Sequence, residues 1–259
     1  MEKLNISFIQ TTLSWENTAE NLQHFSNKIA AIKENTDLIL LPEMFSTGFS
    51  MHPENIAETQ NDSTLKWMKK QAELKNAAVC GSIIIKENDK YYNRLFFVFP
   101  NGDFKTYDKR HLFSFSGEHK KYTAGTEKLI VEYKGWRICP LICYDLRFPI
   151  WARNTENYDV LIYGANWPAT RILAWDTLLR ARSIENLCYT IGINRIGKDP
   201  NQNNYNGHSA VYNAVGEKIS TNNWEKDFTQ TLTLSKEHLR KTRRKFQFLN
   251  DKDEFKILD

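Results

Sequence analysis

"RICPLICYDLRFP", residues 137–149, decides how this chain folds. An apolar run ends abruptly at Cys143, and an aromatic residue and a cluster of charges follow it. Cys139 and Cys143 sit four apart, on the same face of a regular strand, with Cys139 one layer deeper. Pro140 removes a ladder donor, which implies a sheet edge or a bulge. Cys139 therefore reads as a small apolar core residue. Cys143 stands where the strand gives way to what reads as the start of a helix. Backbone N–H groups unpaired within that helix, and its dipole, favour an anion there, either a thiolate or a developing oxyanion.

Outward from this junction, short β-rich runs recur: "LNISFIQ", "TDLILLP", "AAVCGSIII", "LFFVFP", "KLIVEY", "YDVLIYGA" and "LCYTIGINR". Helical stretches lie between several of them. "TAENLQHFSNKIAAIKEN" places Leu22, Phe25, Ile29 and Ile32 on one face, and "AWDTLLRARSIENL" does the same with Trp175, Leu178, Leu179, Ala181 and Ile184. Strand–helix alternation predicts a layered α/β fold. "YYNRLFFVFPNGDFKTYDK" reads as a hairpin around Asn101-Gly102, a two-residue turn signal, and "HSAVYNAVGEKIS" has the same character near Gly216. Hairpins added to alternating units predict mixed sheets, two of them packed between helices. No repeat, low-complexity tract or linker divides the chain, so residues 1–259 read as one domain with a basic extension from about residue 235.

Composition excludes several classes. The 259 residues are 41% hydrophobic and 25% charged, enough for a sizeable core. A net charge of +4 is too small to imply nucleic acid. The basic run "HLRKTRRKFQF" reads as a solvated helix, since no stacking-aromatic pattern accompanies it. Cys80, Cys139, Cys143 and Cys188 form neither a disulfide framework nor a metal-ligand spacing. The histidines at 24, 52, 111, 119, 208 and 238 are scattered. No apolar run reaches the ~18–20 residues of a membrane span, and "LNISFIQ" begins without a leader pattern. A reducing cytoplasm is the expected compartment.

Three strand ends carry reactive groups. "DLILLPEMFSTGF" ends a buried-type strand in Pro42-Glu43, a carboxylate that is either solvated or held at the rim of a cleft. "TYDKRHLF" carries Lys109, and "SFSGEHKKY" carries Glu118 and His119; alone, each is indistinguishable from a polar loop. Taken in order with Cys143, they resemble the Glu–Lys–Cys set of the nitrilase, or carbon–nitrogen hydrolase, superfamily. The resemblance runs from "ISFIQ" to the hairpin around Gly216. "GWRICPLICYDLRFPIWARN", "GANWPATR" and "ARSIENLCYTIGINRIGKD" are most similar to its ω-amidase branch, enzymes that hydrolyse the terminal amide of 2-oxo acids such as 2-oxoglutaramate.

The resemblance implies an αββα sandwich that pairs into a homodimer or higher homo-oligomer, with the helix after Cys143 and "AWDTLLRARSIENL" at the interface. It implies no metal or organic cofactor, and a small-molecule amide as substrate. Cys143 becomes the nucleophile and Glu43 the base that takes its proton and returns it to departing ammonia. A carboxylate is a feeble base in water, so that role requires Glu43 to be desolvated. Lys109 and the backbone N–H of Tyr144 would meet the oxyanion, and Glu118 would orient Lys109 and the substrate amide. Asn166 and Trp167 follow another strand and are expected to line the pocket. A substrate α-carboxylate suits a planar guanidinium best, with Arg171 the first candidate and Arg147 the second. Asp145 and Arg147 are expected to pair with neighbours around the nucleophile turn. The rival readings are another carbon–nitrogen hydrolase (an N-carbamoyl-amino-acid amidohydrolase or a nitrilase), a catalytically silent binding module of the same fold, and a nucleic-acid binder.

Overall fold

The structure, a computed structural model, describes residues 2–222 and 224–257. Its elements are, in chain order, β1 (Lys3–Gln10), α1 (Thr18–Ala30), β2 (Leu38–Leu40), α2 (Pro53–Ile56), α3 (Ser63–Lys75), β3 (Ala78–Glu87), β4 (Lys90–Val98) and β5 (Phe104–Asp108). There follow β6 (Val131–Tyr133), β7 (Trp136–Ile142), α4 (Pro149–Ala152), β8 (Val160–Ala165), α5 (Ile172–Asn186) and β9 (Tyr189–Asn194). The chain continues through β10 (Ile196–Lys198), β11 (Asn204–Asn206), β12 (Ala210–Tyr212), β13 (Phe228–Ser235) and α6 (Lys236–Phe246).

Two mixed sheets result. The first has the order β13-β1-β2-β3-β4-β5 and the second β12-β9-β8-β7-β6. Strands β1, β2 and β3 run parallel, as do β7, β8 and β9, while the flanking strands are antiparallel. Alternation along each central strand divides its side chains between two cores. Leu4, Ile6, Phe8, Leu38 and Leu40 face the second sheet. Ile9, Ile39 and Val79 face α1 and α3, meeting Phe25, Ile29, Leu65 and Met68. On the far side Trp175 and Leu179 of α5 press on Gly192 of β9, where a Cβ would lie 2.4 Å from Leu179. The layers are thus helix, sheet, sheet, helix, the expected αββα sandwich. Strands buried on both faces are continuously apolar for this reason.

Local chemistry sets the element ends. The Asn17 side chain caps α1 by accepting from Glu20 N–H, and Asn76 closes α3 in the left-handed region. Pro140 lies where β7 has outrun its neighbour: β6 pairs only with Trp136–Ile138, so β8 alone flanks the strand at the proline. The edge reading of Pro140 therefore holds, and Cys139 is fully buried.

Three details differ from the sequence reading. The β4–β5 connection closes through Phe99 and Asp103 (2.8 Å), giving a three-residue loop with Gly102 at φ +85°, not a two-residue turn. On α5, Ile184 is exposed, and the buried face ends in Arg182, Ser183 and Asn186. Arg182 instead donates to the Leu146 carbonyl (2.7 Å), bracing the segment after Cys143. That segment is a five-residue 3-10 turn, Cys143–Arg147, followed by the short α4.

The basic helix α6 does form, and part of its charge is spent on the fold. Lys236 and Arg243 both pair with Asp159, which is 4% exposed and also accepts from Arg137 N–H at 2.9 Å. Asp159→Asn removes the charge that three donors share and sets an NH2 group against at least one of them. We expect a loss of about 2–3 kcal/mol, read as a lower urea midpoint with an unchanged slope.

Candidate active site

The parallel strands of both sheets end at one seam, the place where open α/β sheets bind ligands. Glu43 follows β2, Lys109 follows β5, Cys143 follows β7, and Asn166 and Trp167 follow β8. Two glycines permit the close approach. A Cβ on Gly164 of β8 would lie 3.2 Å from the Leu41 carbonyl and 3.4 Å from Glu43 N, so the second sheet closes directly on the Glu43 strand. Gly125 donates to the Lys109 carbonyl (3.0 Å) and leaves no room for a side chain, since a Cβ there would be 2.2 Å from the Asp108 carbonyl.

The four expected reactive residues are brought together. Lys109 Nζ donates to Glu43 Oε1 at 2.8 Å and to both Glu118 oxygens at 3.0 Å, with all three side chains fully buried. The second Glu43 oxygen accepts from Asn166 N–H (2.9 Å), while Asn166 Nδ2 donates to the Glu43 carbonyl (2.6 Å). Asn166 therefore grips Glu43 besides lining the cavity. Glu43 is withdrawn from water, at 1% exposure.

Burial works against the Lys109 ammonium, but Glu118 and Glu43 outweigh it and hold its pKa above the ordinary lysine value. Burial pushes Glu118 up; Lys109 opposes this and the Glu43 charge reinforces it. Two carboxylates thus share a single buried cation, leaving a surplus negative charge that disposes the cluster to accept a proton.

Cys143 takes a φ of +40°, the left-handed region that a side chain adopts only under constraint. Burial, and after it the Glu43 charge, raise its thiol well above the ordinary cysteine value; Lys109 pulls the other way and does not prevail. The helix N-terminus expected there, favouring a thiolate or a developing oxyanion, is instead a five-residue 3-10 turn with too few aligned peptides for a helix dipole.

A cavity of about 310 Å³ opens over these groups, walled by Phe49, Phe113, Tyr144, Trp167 and Tyr205. Arg147 and Arg171 also line it. Each guanidinium lies 5.0 Å from an aromatic ring, that of Trp167 for Arg147 and of Phe113 for Arg171. Among the described residues neither is paired with a carboxylate. Asp199, also at the wall, is saturated by Asn203 and Tyr205. No cluster of three or more His, Cys, Asp or Glu among the described residues could hold a metal ion.

Sequence reading missed Asn93. It lies in β4, fully buried, and its Nδ2 donates to Glu43 Oε1 (2.8 Å) and Glu118 Oε1 (3.4 Å). Its carbonyl accepts from Lys109 N–H (3.0 Å). The available signal was a polar amide interrupting the buried strand "YYNRLFFVF".

The chain belongs to the carbon–nitrogen hydrolase family, whose family model matches residues 5–244. It is 43% identical to the omega-amidase of Escherichia coli K12 over 99% of this chain and all of that one. It is 33% identical to the 2-oxoglutaramate amidase of Bacillus subtilis over 84% of this chain and 86% of that protein. Among solved structures, a CN-hydrolase superfamily protein from Xanthomonas campestris, with an arsenic adduct in its active site, superposes with a TM-score of 0.97. That protein is 40% identical, over 99% of this chain and 100% of the other.

Asn93 spaces the two carboxylates and fixes the Lys109 backbone. Asn93→Ala is expected to lower kcat by about tenfold to a hundredfold, the scale of a small misplacement of reacting groups. Steady-state kinetics beside a circular-dichroism melt check this, the melt establishing that the variant is folded.

Proposed function

We propose that this hydrolase is an ω-amidase, cleaving the terminal carboxamide of a small 2-oxo acid, of 2-oxoglutaramate or 2-oxosuccinamate type, to the acid and ammonia. One observation carries this reading: a thiol beside a buried Glu–Lys–Glu cluster opens into a cavity that also presents two guanidinium groups with no carboxylate partner among the described residues. The first arrangement suits amide hydrolysis, and the second suits a substrate with an anionic end. Relatives named omega-amidase and 2-oxoglutaramate amidase support the same choice.

In this reading Glu43 takes the Cys143 proton as sulfur attacks the amide carbon, so no standing thiolate is needed. The oxyanion that forms meets the Lys109 ammonium and the Tyr144 backbone N–H. Losing one such donor typically costs roughly 10²–10³ in rate. Glu43 then passes the proton to the amide nitrogen, the C–N bond breaks and ammonia leaves. Water attacks the thioester, gives a proton to Glu43, and the acid departs as sulfur recovers its proton. Glu118 holds Lys109 in place throughout. Arg171 and Arg147 bind the carboxylate, with Tyr144, Asn166 and Trp167 completing the substrate contacts.

The same reading places the enzyme in the cytoplasm as a homodimer. Four buried free cysteines suit a reducing compartment. No helix among the described residues is long and apolar enough to cross a membrane. Exposed Ile150 on α4 and Leu173 and Ile184 on α5 offer the apolar surface for pairing.

Cys143→Ala is expected to abolish ammonia release, whereas Cys139→Ala, a core change, keeps kcat and loses stability. Loss of activity in a folded Cys139 variant would contradict the assignment. A panel of 2-oxoglutaramate, 2-oxosuccinamate, glutamine and N-carbamoyl amino acids tests the substrate class. Turnover confined to the 2-oxo acid amides is expected; preference for an N-carbamoyl amino acid would move the enzyme to another branch of the family. Arg171→Gln should raise KM for the preferred acid at least tenfold while leaving kcat within a few-fold, as loss of uniform binding does.

A further inference from the structure

Asp145 is fully buried, and it accepts four hydrogen bonds from the two segments that carry Lys109 and Cys143. From the cysteine side, Ile142 N–H reaches Oδ2 at 3.0 Å. From the lysine side, Tyr107 OH reaches the same oxygen at 2.8 Å, and His111 gives Oδ1 its backbone N–H (3.0 Å) and its Nδ1 (2.8 Å). Tyr107 OH in turn accepts from Arg110 N–H (3.2 Å) and Trp151 Nε1 (3.0 Å). The His111 ring lies flat on Phe148, centroids 3.7 Å apart, at the end of the cysteine turn. The residues gripped therefore flank Lys109 at −2, +1 and +2, and Cys143 at −1 and +5.

We infer that Asp145 is a positioning residue that fixes Lys109 relative to the Cys143 sulfur and holds Cys143 in its left-handed conformation. This inference rests on reading Cys143 and Lys109 as reacting groups, which Cys143→Ala tests separately. The demand is for a carboxylate in particular. Backbone N–H groups face both of its oxygens, and neither can turn into an acceptor. An asparagine fits the space but must set its NH2 against one of them in either orientation. One side of the brace then opens, and either the lysine segment or the cysteine turn shifts.

The test compares Asp145→Asn and Tyr107→Phe with the unaltered enzyme by kinetics and by alkylation of Cys143 with iodoacetamide across pH. Burial raises the thiol's titration most; of the charged groups that face it, Glu43 and Glu118 raise it further and Lys109 lowers it. Withdrawing Lys109 therefore moves the alkylation profile to higher pH. In Asp145→Asn we expect kcat to fall by about a hundredfold, as for a displacement near 1 Å, with KM within about threefold and the profile displaced upward. Tyr107→Phe removes one donor and should move both readouts the same way by less. Cys80, Cys139 and Cys188 are core residues, so their failure to react reports that a variant is folded. A folded variant whose alkylation profile matches the unaltered enzyme overturns the inference, because a role in stability alone would leave that profile in place. So does a loss of kcat matched by an equal loss of folded protein.

Discussion

The Lys109 ammonium, closed off from water between Glu43 and Glu118, is the constraint on which the rest depends. Burying three ionisable groups costs several kcal/mol per ion, which their mutual attraction repays only with good geometry and every remaining hydrogen-bonding position filled. The fold meets this with groups from both sheets. Asn93 comes from β4 and Asn166 from the end of β8, and each gives Glu43 a hydrogen bond. The cluster therefore locks one sheet against the other as well as assembling reactive groups. Removing Lys109 leaves two buried carboxylates without their cation, a loss of about 3–5 kcal/mol, so under the proposed function stability and activity are drawn from the same interactions.

Under the proposed function the cluster also determines what kind of nucleophile Cys143 is. Burial, and after it the Glu43 charge, favour the protonated form of this thiol, whereas a bare cation or a long helix would favour the thiolate. Such a thiol is less open to adventitious oxidation and alkylation, because the thiolate is the reactive form. Under the proposed mechanism, sulfur gains its charge only as the carbonyl accepts it, and the single ammonium then faces the developing oxyanion. The proton acceptor and the cation are held in one ion pair, so neither requires a separate rearrangement at the moment of reaction.

The layered fold was legible because its strands are buried on both faces and its helices are amphipathic, and the two periodicities are hard to confuse. Glu43 and Cys143 stood out because each stands where an apolar run stops, whereas Lys109 stood out only through the family resemblance, its own surroundings reading as a polar loop. What the sequence concealed depends on pairing between distant strands. Asn93 looks like a polar interruption in a hairpin until β2 and β4 are aligned on either side of β3. Asp145 looks like a local charge until Tyr107 and His111 fold over it. The helix expected after Cys143 was misread for a related reason. The chain spends those residues on a tight 3-10 turn closed by Asp145 on Ile142 N–H, with Pro149 at the start of α4. A helical pattern in sequence does not distinguish one turn from three.

One residue at positive φ and two close backbone approaches serve this same seam. Cys143 is held at positive φ, Gly164 admits the Glu43 strand and Gly125 admits the Lys109 strand, all within the span where the sheets meet. Each would be a defect in an isolated sheet, and each is tolerated here because the surroundings over-determine it. The aromatic walls add a second consequence. Among the described residues Arg147 and Arg171 have no carboxylate partner, and each guanidinium rests on a ring, which holds the planar group in place without neutralising it. Under the proposed function a salt bridge in either position would have to be broken before an anionic substrate could bind, and leaving both cations on aromatic faces keeps that cost out of the binding step.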